Sequence, residues 1–138
     1  MKVGKAIAAA RSLRRAKKID VLFVDYLQLL EGRGDQKHER VAHVAESLKA
    51  LAMQLEIPVV AAAQLRRDAD GRQPTLGDFS DSSELEKAAN VALLIHRNEE
   101  GDVTSGLWVH AEKVRDGKTG SVRCVFHREY LRIREEAV

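Results

Sequence analysis

Residues 21–28 read Val21-Leu22-Phe23-Val24-Asp25-Tyr26-Leu27-Gln28 and are the most informative segment for the fold class. Its unbroken run of apolar residues is typical of a strand buried on both faces, as in a parallel sheet. Asp25 stands where that strand should end, and α/β proteins bind ligands at the carboxyl ends of their parallel strands. The stretch therefore predicts an α/β fold that displays one carboxylate at a ligand-binding edge.

A helix and a second strand are predicted to follow. Residues 38–56 carry an apolar stripe at helical spacing, formed by Val41, Val44, Ala45, Leu48, Leu51, Ala52 and Leu55. Pro58 follows the end of this helix, and Val59–Ala63 predicts a short second buried strand. The order strand, helix, strand predicts a parallel pair joined by a right-handed crossover.

The flanking segments complete the predicted domain. An Ala-rich basic helix is expected at residues 4–17, a third apolar strand at 91–96 and antiparallel strands between 106 and 133. The polar segment 64–83 is long enough to predict a functional or mobile loop. We expect one partial domain over 1–138, with the basic helix at 1–18, an α/β core at 19–96 and an antiparallel hairpin region at 105–134.

Composition limits the classes of function. The net charge of +2 gives no global basic field for nucleic acid, and one Trp, two Tyr and three Phe argue against base stacking as the main binding mode. The basic residues of the first helix could contact phosphate, but a solvated helix face is the favoured interpretation. No apolar run approaches the ~20 residues of a membrane span, and the basic start lacks the apolar core of a signal peptide. These features predict a cytoplasmic protein with no membrane partner.

The cysteine and the histidines do not predict a functional site. Cys124 is the only cysteine, so an intramolecular disulfide is excluded, and its apolar neighbours predict a buried inert thiol. The five histidines lack the spacing of zinc ligands, so we expect no zinc site.

The surroundings of Asp25 carry a resemblance to a known family. Alone, an Asp at a strand end is more often a turn former or a helix cap than a magnesium ligand. The segments 25–29, 47–52, 57–60 and 63–65 nevertheless resemble the DnaB-type replicative DNA helicase family in order and spacing. The resemblance extends over residues 19–133. It implies a RecA-like partial P-loop NTPase core of the α/β class, in which parallel strands with crossover helices are followed by antiparallel C-terminal strands.

The resemblance implies roles for two residues of the core. Asp25 corresponds to the Walker B aspartate, which serves Mg²⁺ through water beside the terminal phosphates of ATP. Gln64 corresponds to the strand-end glutamine that senses the γ-phosphate and relays the nucleotide state toward DNA. Glutamine suits such a relay because its amide both donates and accepts hydrogen bonds. Without the resemblance, Gln64 would be interpreted as a polar residue at a strand exit.

The segment 113–120 carries the second part of the resemblance. Period-two alternation predicts Lys113 and Arg115 on one strand face, and the following glycines permit a tight turn. The segment is similar to the family's Lys-x-Arg-x-Gly pattern, which implies that Arg115 is an arginine finger for a neighbouring subunit's nucleotide and Lys113 its companion. Such fingers contribute about 10³–10⁵ in rate. An ordinary basic hairpin is the alternative.

The resemblance also implies two loops that face DNA. The first, residues 31–40, offers Arg33, Lys37 and Arg40 for phosphate contacts. The second lies within 76–86, where the backbone amides of Asp81, Ser82 and Ser83 could bind a phosphate. Here Ser80 stands in place of the family's arginine and Ser83 in place of its glycine, which weakens the case for standard DNA contact.

The phosphate-binding part of the family's domain is absent from the sequence. No Gly-x-x-x-x-Gly-Lys-Ser/Thr occurs, and the fragment Lys2-Val3-Gly4-Lys5 is too short to wrap several amides around phosphates. The strand that carries the family's catalytic glutamate is also lacking. We therefore expect the isolated chain not to hydrolyse ATP appreciably.

The expected function follows from the resemblance. It implies the C-terminal portion of a hexameric helicase motor that uses ATP and Mg²⁺ and moves along single-stranded DNA, with a primase or a helicase loader as a further partner. The alternative is a non-catalytic RecA-like interaction or regulatory module, which the missing P-loop favours. A recombinase or clock-type ATPase of the wider RecA group is a third possibility, and the segment from Asp25 to Gln28 argues against it.

Overall fold

The chain divides into two compact units. The computed structural model describes residues 1–66, 72–79, 83–97 and 106–135. The first unit comprises Met1–Leu65 and Phe79–Ala89, and the second comprises Arg66–Asp78 and Asn90–Val138.

The first unit is built from three helices and a parallel pair of strands. In chain order these are α1 (Val3–Arg15), β1 (Leu22–Val24), α2 (Lys37–Leu55), β2 (Val59–Ala61) and α3 (Ser83–Ala88). Strands β1 and β2 pair in parallel, with Leu22 opposite Val59 and Val24 opposite Ala61. The predicted parallel pair is confirmed, although both strands are shorter than the apolar runs that predicted them.

Helix α2 has clear start and stop signals. At its start, the Glu39 carboxylate accepts hydrogen bonds from the backbone N–H groups of Gln36, at 3.1 Å, and Asp35, at 2.8 Å. These bonds hold the pKa of the Glu39 carboxyl below its usual value. The helix ends at Leu55, and the next residue, Glu56, has a left-handed φ of 52°. A local capping arrangement therefore fixes where α2 begins, close to the predicted boundary.

The core of the first unit lies between α2 and the inner face of the parallel pair. Its buried members are Val3, Leu27, Val41, Val44, Ala45, Leu48 and Leu85, and the partly buried Val24 and Val59 pack against them. On the other face of the strands, Phe23 is 69% exposed and Val60 is 50% exposed. The prediction that these strands are buried on both faces is therefore wrong. Side chains alternate along a strand, and among the described residues only the inner face is covered.

The second unit is an antiparallel sheet. Strands β3 (Val91–Arg97), β4 (Gly106–Val114), β5 (Gly120–His127) and β6 (Arg132–Glu135) pair in the order β3-β4-β5-β6. The predicted antiparallel strands are confirmed. The last strand extends to Glu135, past the predicted limit at 133, and a short 3-10 turn, Arg128–Tyr130, and Leu131 with φ of 48° precede it.

One face of this sheet buries polar groups whose hydrogen bonds are satisfied. His110 is only 4% exposed. Its Nδ1 lies 2.6 Å from Ser121 Oγ and its Nε2 lies 3.2 Å from His96 Nδ1. Cys124 is buried as a free thiol, as the sequence predicted. The burial of His110 is thus accounted for by structure, because both ring nitrogens have partners.

Part of the long polar segment is held by a buried carboxylate. Asp78 is 2% exposed and receives two hydrogen bonds from the Arg72 guanidinium, at 2.8 and 2.6 Å. The backbone N–H and hydroxyl of Thr75 donate to the same carboxylate at 2.7 and 3.0 Å. Arg72 first, and then the Thr75 backbone, hold the pKa of the Asp78 carboxyl well below its usual range. The residues from Arg72 to Asp78 are therefore closed into a tight loop.

No helix in the described ranges is both long and apolar enough to cross a membrane.

We predict that Asp78→Asn lowers the melting temperature by several degrees at pH 7. A carboxyl whose pKa falls on folding stabilises the protein above its unfolded pKa, near 4, and this contribution is lost as pH falls through the folded pKa. The difference between native and variant should therefore shrink below about pH 4, as measured by thermal unfolding across pH. Asp116→Asn, an exposed carboxylate in the same unit, is the control and should have little effect. A pH-independent difference would contradict the prediction.

Candidate nucleotide-binding site

Asp25 and Gln64 lie at the same edge of the parallel pair. Asp25 directly follows Val24, the last residue of β1, and Gln64 follows Ala61, the last residue of β2, by three positions. Pairing continues beyond the strands, since Ala62 N–H donates to Val24 C=O at 2.9 Å. Because parallel strands end at one edge, the structure brings these two predicted residues to that edge, where both are exposed.

The Asp25 carboxylate is available to a ligand. Among the residues that the structure describes, none forms a hydrogen bond or an ion pair with it. A single carboxylate at the same edge as the Gln64 carboxamide suits Mg²⁺ held mainly through water, because this ion favours oxygen ligands and keeps several waters. The described ranges hold no group of three or more His, Cys, Asp or Glu side chains that could bind a metal directly. The donor set therefore fits a hydrated Mg²⁺ that accompanies phosphate.

Gln28 contacts the backbone of Gln64, which the sequence did not reveal. Its Nε2 donates to Gln64 C=O at 3.4 Å, and its Oε1 accepts from Gln64 N–H at 3.3 Å. Gln28 closes the quoted stretch, three residues after Asp25. The only sequence signal was that its carboxamide both donates and accepts, so it can pair with both backbone groups of one residue.

Lys113 and Arg115 lie at the hairpin end of β4 in the second unit. Lys113 is half-buried within β4, opposite Ala92 on β3. Arg115 is exposed and lies one residue beyond the strand, where its backbone N–H donates to Asn90 C=O at 2.9 Å. The two residues were predicted to share a strand face, but Arg115 begins the turn instead. A side chain at Gly117 would lie 2.9 Å from Val114 Cγ1, so this turn is tight.

The first candidate DNA loop is shorter than predicted. Helix α2 begins at Lys37, so Lys37 and Arg40 belong to the helix and only Arg33 lies in the loop. The Arg40 guanidinium donates to the C=O of Asp35 at 2.8 Å and of Gly34 at 3.4 Å. Arg40 thus braces the loop by its hydrogen bonds, and Arg33, Lys37 and Arg40 are all exposed.

Of the second candidate DNA loop, at 76–86, residues 80–82 lie outside the described ranges, and Asp81 and Ser82 are among them. Ser83 is the first residue of α3 and is exposed. Its hydroxyl lies 3.4 Å from Glu84 Oε1, to which it donates.

Solved structures of similar shape define the class of fold. A solved ATPase domain superposes with a TM-score of 0.87 at 28% identity, covering 96% of this chain and 51% of that one. A DnaB-like replicative helicase, solved in a study of its interactions with primase, gives 0.86 at 28% identity, covering 96% of this chain and 34% of that one. A KaiC-like protein from Pyrococcus horikoshii gives 0.67 at 14% identity, which bears on the fold alone, and covers 98% of this chain and 57% of that one. The chain has a RecA-like α/β fold.

Sequence comparison identifies the family within this fold class. The sequence-family model for the DnaB-like helicase C terminal domain matches residues 1–135. The replicative DNA helicase DnaB of Geobacillus stearothermophilus is 32% identical over 140 residues, covering 94% of this chain and 31% of that protein. DnaB of Treponema pallidum is 35% identical over 134 residues, covering 96% and 30%. The chain belongs to the DnaB-like helicase C-terminal domain family, and it spans about a third of the length of these relatives.

We predict that Asp25→Ala leaves stability nearly unchanged. An exposed carboxylate without a described partner should cost no more than about 0.5 kcal/mol on removal. A residue that caps a helix or forms a turn should cost about 0.5–2 kcal/mol. Urea unfolding of the purified variant distinguishes the two. Leu51→Ala, at a position 1% exposed, is the positive control and should cost about 2–5 kcal/mol. A loss above about 1 kcal/mol for Asp25→Ala would favour a structural role.

Proposed function

We propose that this chain is the C-terminal part of an ATP-driven DNA helicase motor, with nucleotide bound at the edge where Asp25 and Gln64 lie. The observation that carries the proposal is the parallel register of β1 and β2, which brings both residues to one edge. Membership of the DnaB-like helicase family makes ATP the expected nucleotide and DNA the expected track.

Asp25 is proposed to orient the hydrated Mg²⁺ of the nucleotide. Its carboxylate is exposed at the end of a short strand whose inner residue, Val24, packs into the core. A charged group on a fixed backbone can hold water ligands with little loss of conformational freedom. When bound, the ion neutralises charge on the terminal phosphates of ATP. The proposed role of Asp25 is to hold the positive charge of the ion at one position on this edge.

Gln64 is proposed to respond to the terminal phosphate. Its side chain is exposed at the same edge as Asp25. A carboxamide can donate to a phosphate oxygen and accept from a water, so its preferred orientation changes when the phosphate leaves. That change would pass to the segments that contact DNA.

Arg115 and Lys113 are proposed to act on the nucleotide of a neighbouring subunit in a hexameric ring. Arg115 is exposed on a tight turn, and its backbone is anchored to Asn90. A guanidinium presented from a fixed backbone can stabilise negative charge on a phosphoryl group in transit. Lys113, which precedes Arg115 on the same hairpin, would add a second positive charge.

Single-stranded DNA is proposed to contact the loop before α2. Arg33 is exposed in that loop and Lys37 is exposed at the first residue of α2, whereas Arg40 serves mainly to hold the loop. The backbone amides of Asp81, Ser82 and Ser83 remain proposed phosphate contacts. A relative was solved in a study of its interactions with primase, and we propose a primase or a helicase loader as a partner of this protein in the cytoplasm.

A non-catalytic RecA-like interaction or regulatory module is the second candidate. The sequence contains no Gly-x-x-x-x-Gly-Lys-Ser/Thr, and the chain covers 51% of the solved ATPase domain that it resembles in shape. A module of this kind would fold and bind partners without turnover in any assembly. Joining the chain to the phosphate-binding part of a related helicase discriminates between the two candidate functions. Only a fragment of a motor should give a hybrid that hydrolyses ATP.

We predict that the isolated chain shows no ATP hydrolysis. Phosphates are held by consecutive backbone amides in this class of site, and the sequence supplies no such loop. The measurement is release of phosphate at millimolar ATP and Mg²⁺, with and without single-stranded DNA. Turnover that disappears in Asp25→Ala would contradict the prediction.

We predict that Arg115→Ala cuts hydrolysis but spares nucleotide binding in a hybrid helicase. The hybrid is the Geobacillus stearothermophilus DnaB in which this chain replaces the matching segment. Loss of a finger should lower kcat by about 10³–10⁵ and leave the nucleotide Kd nearly unchanged. Arg115→Lys should rescue little, because lysine lacks the planar fork. Lys118→Ala, an exposed cation of the same hairpin, is the matched control; unchanged turnover in Arg115→Ala would remove the trans role.

A further inference from the structure

The side chain of Gln28 forms hydrogen bonds with both backbone groups of Gln64. Its carboxamide donates to the C=O and accepts from the N–H of that one residue, at 3.4 and 3.3 Å. In a sheet, the N–H and C=O groups on one side of a strand are bonded in the same way to the backbone of the neighbouring strand. Gln28 therefore supplies with its side chain what a backbone neighbour supplies elsewhere in the sheet.

This contact extends the ladder of the parallel pair past the point where β1 ends. Ala62 N–H donates to Val24 C=O at 2.9 Å, and Leu27 N–H donates to Ala62 C=O at 2.8 Å. The backbone then enters a 3-10 turn, Leu27–Leu29, and cannot offer the next pair. Gln28, within that turn, reaches Gln64 instead.

The turn that carries Gln28 is itself firmly held. Leu27, the preceding residue, is 4% exposed and belongs to the buried core under α2. Leu30 N–H donates to Leu27 C=O at 3.0 Å and closes the turn. A side chain that projects from a firmly held turn can fix the position of a more exposed segment. Gln64 lies in such a segment, because it is exposed and follows the end of β2.

We propose that Gln28 is a positioning residue, which clamps the backbone at Gln64 so that the Gln64 carboxamide points along the nucleotide edge. This inference rests on the proposed function of Gln64. Glutamine is required because only a carboxamide at this reach offers both a donor and an acceptor. Glutamate keeps the acceptor and loses the donor, and methionine has neither but is similar in length.

The first test is amide hydrogen exchange in this chain, which needs no turnover. Gln28→Met should raise the exchange rate of the Gln64 amide about tenfold, because that N–H loses its acceptor. Gln28→Glu should retain most of the protection. The Ala62 amide, bonded to Val24, is the internal control, and Gln54→Met, at an exposed glutamine of α2, is the matched variant. An unchanged Gln64 rate in Gln28→Met would overturn the clamp.

The second test is a double-mutant cycle in the hybrid helicase. Gln28→Met should lower kcat about tenfold, with the nucleotide Kd within about twofold of native, because the contact orients Gln64 and holds no nucleotide. In a Gln64→Ala background, Gln28→Met should add no further loss. A merely structural role would give losses that multiply, and that result would overturn the positioning role.

The two tests separate this inference from the function on which it rests. A folded hybrid ring in which Gln64→Ala hydrolyses ATP like the native hybrid would refute the proposed role of Gln64 and, with it, the positioning role. The exchange result would still decide whether the clamp exists. Protection lost in Gln28→Met together with unchanged kcat would overturn the positioning role alone.

Discussion

The parallel pairing of β1 with β2 is the constraint on which the first unit depends. Val24 and Val59 turn inward from these strands and pack against the apolar stripe of α2. Burial of that stripe favours one register, since a slip of one residue would expose the inward side chains. The parallel pairing brings Asp25 and Gln64 to the same edge of the two strands. The two hydrogen bonds between Gln28 and Gln64 extend the ladder of this pair by one further step.

The outer face of this pair suits a portion of a larger domain. Parallel sheets occur almost only with both faces covered, yet Phe23 is 69% and Val60 50% exposed. This chain covers only 51% of the solved ATPase domain that it matches in shape. In the second unit, Arg72 and Asp78 close the loop at 72–78, and the β4–β5 hairpin carries Arg115 and Lys113. The two units therefore hold the residues proposed to act within and between subunits.

Sequence predicted those features that local patterns encode. The stripe of α2, the parallel order of β1 and β2 and the antiparallel strands follow from periodicity and from turn residues. Burial of β1 on both faces was wrong, because an apolar run does not report whether a second layer is present. The pairing of Gln28 with Gln64 joins residues 36 positions apart and depends on the turn after β1, so spacing could not reveal it. Lys37 and Arg40 were assigned to the first candidate DNA loop, but both lie in α2. The hydrogen bonds from Arg40 to loop carbonyls depend on the backbone conformation of that loop, so spacing could not reveal them.

The claim that one edge of this pair holds nucleotide is tested most directly by locating the metal. A crystal structure of the hybrid helicase with Mn²⁺ in place of Mg²⁺ and a slowly hydrolysed ATP analogue would do so through the anomalous signal of manganese. The account predicts one manganese peak separated from the Asp25 carboxylate by a single water, with the terminal phosphate beside Gln64. Nucleotide and ion bound away from both residues would contradict it.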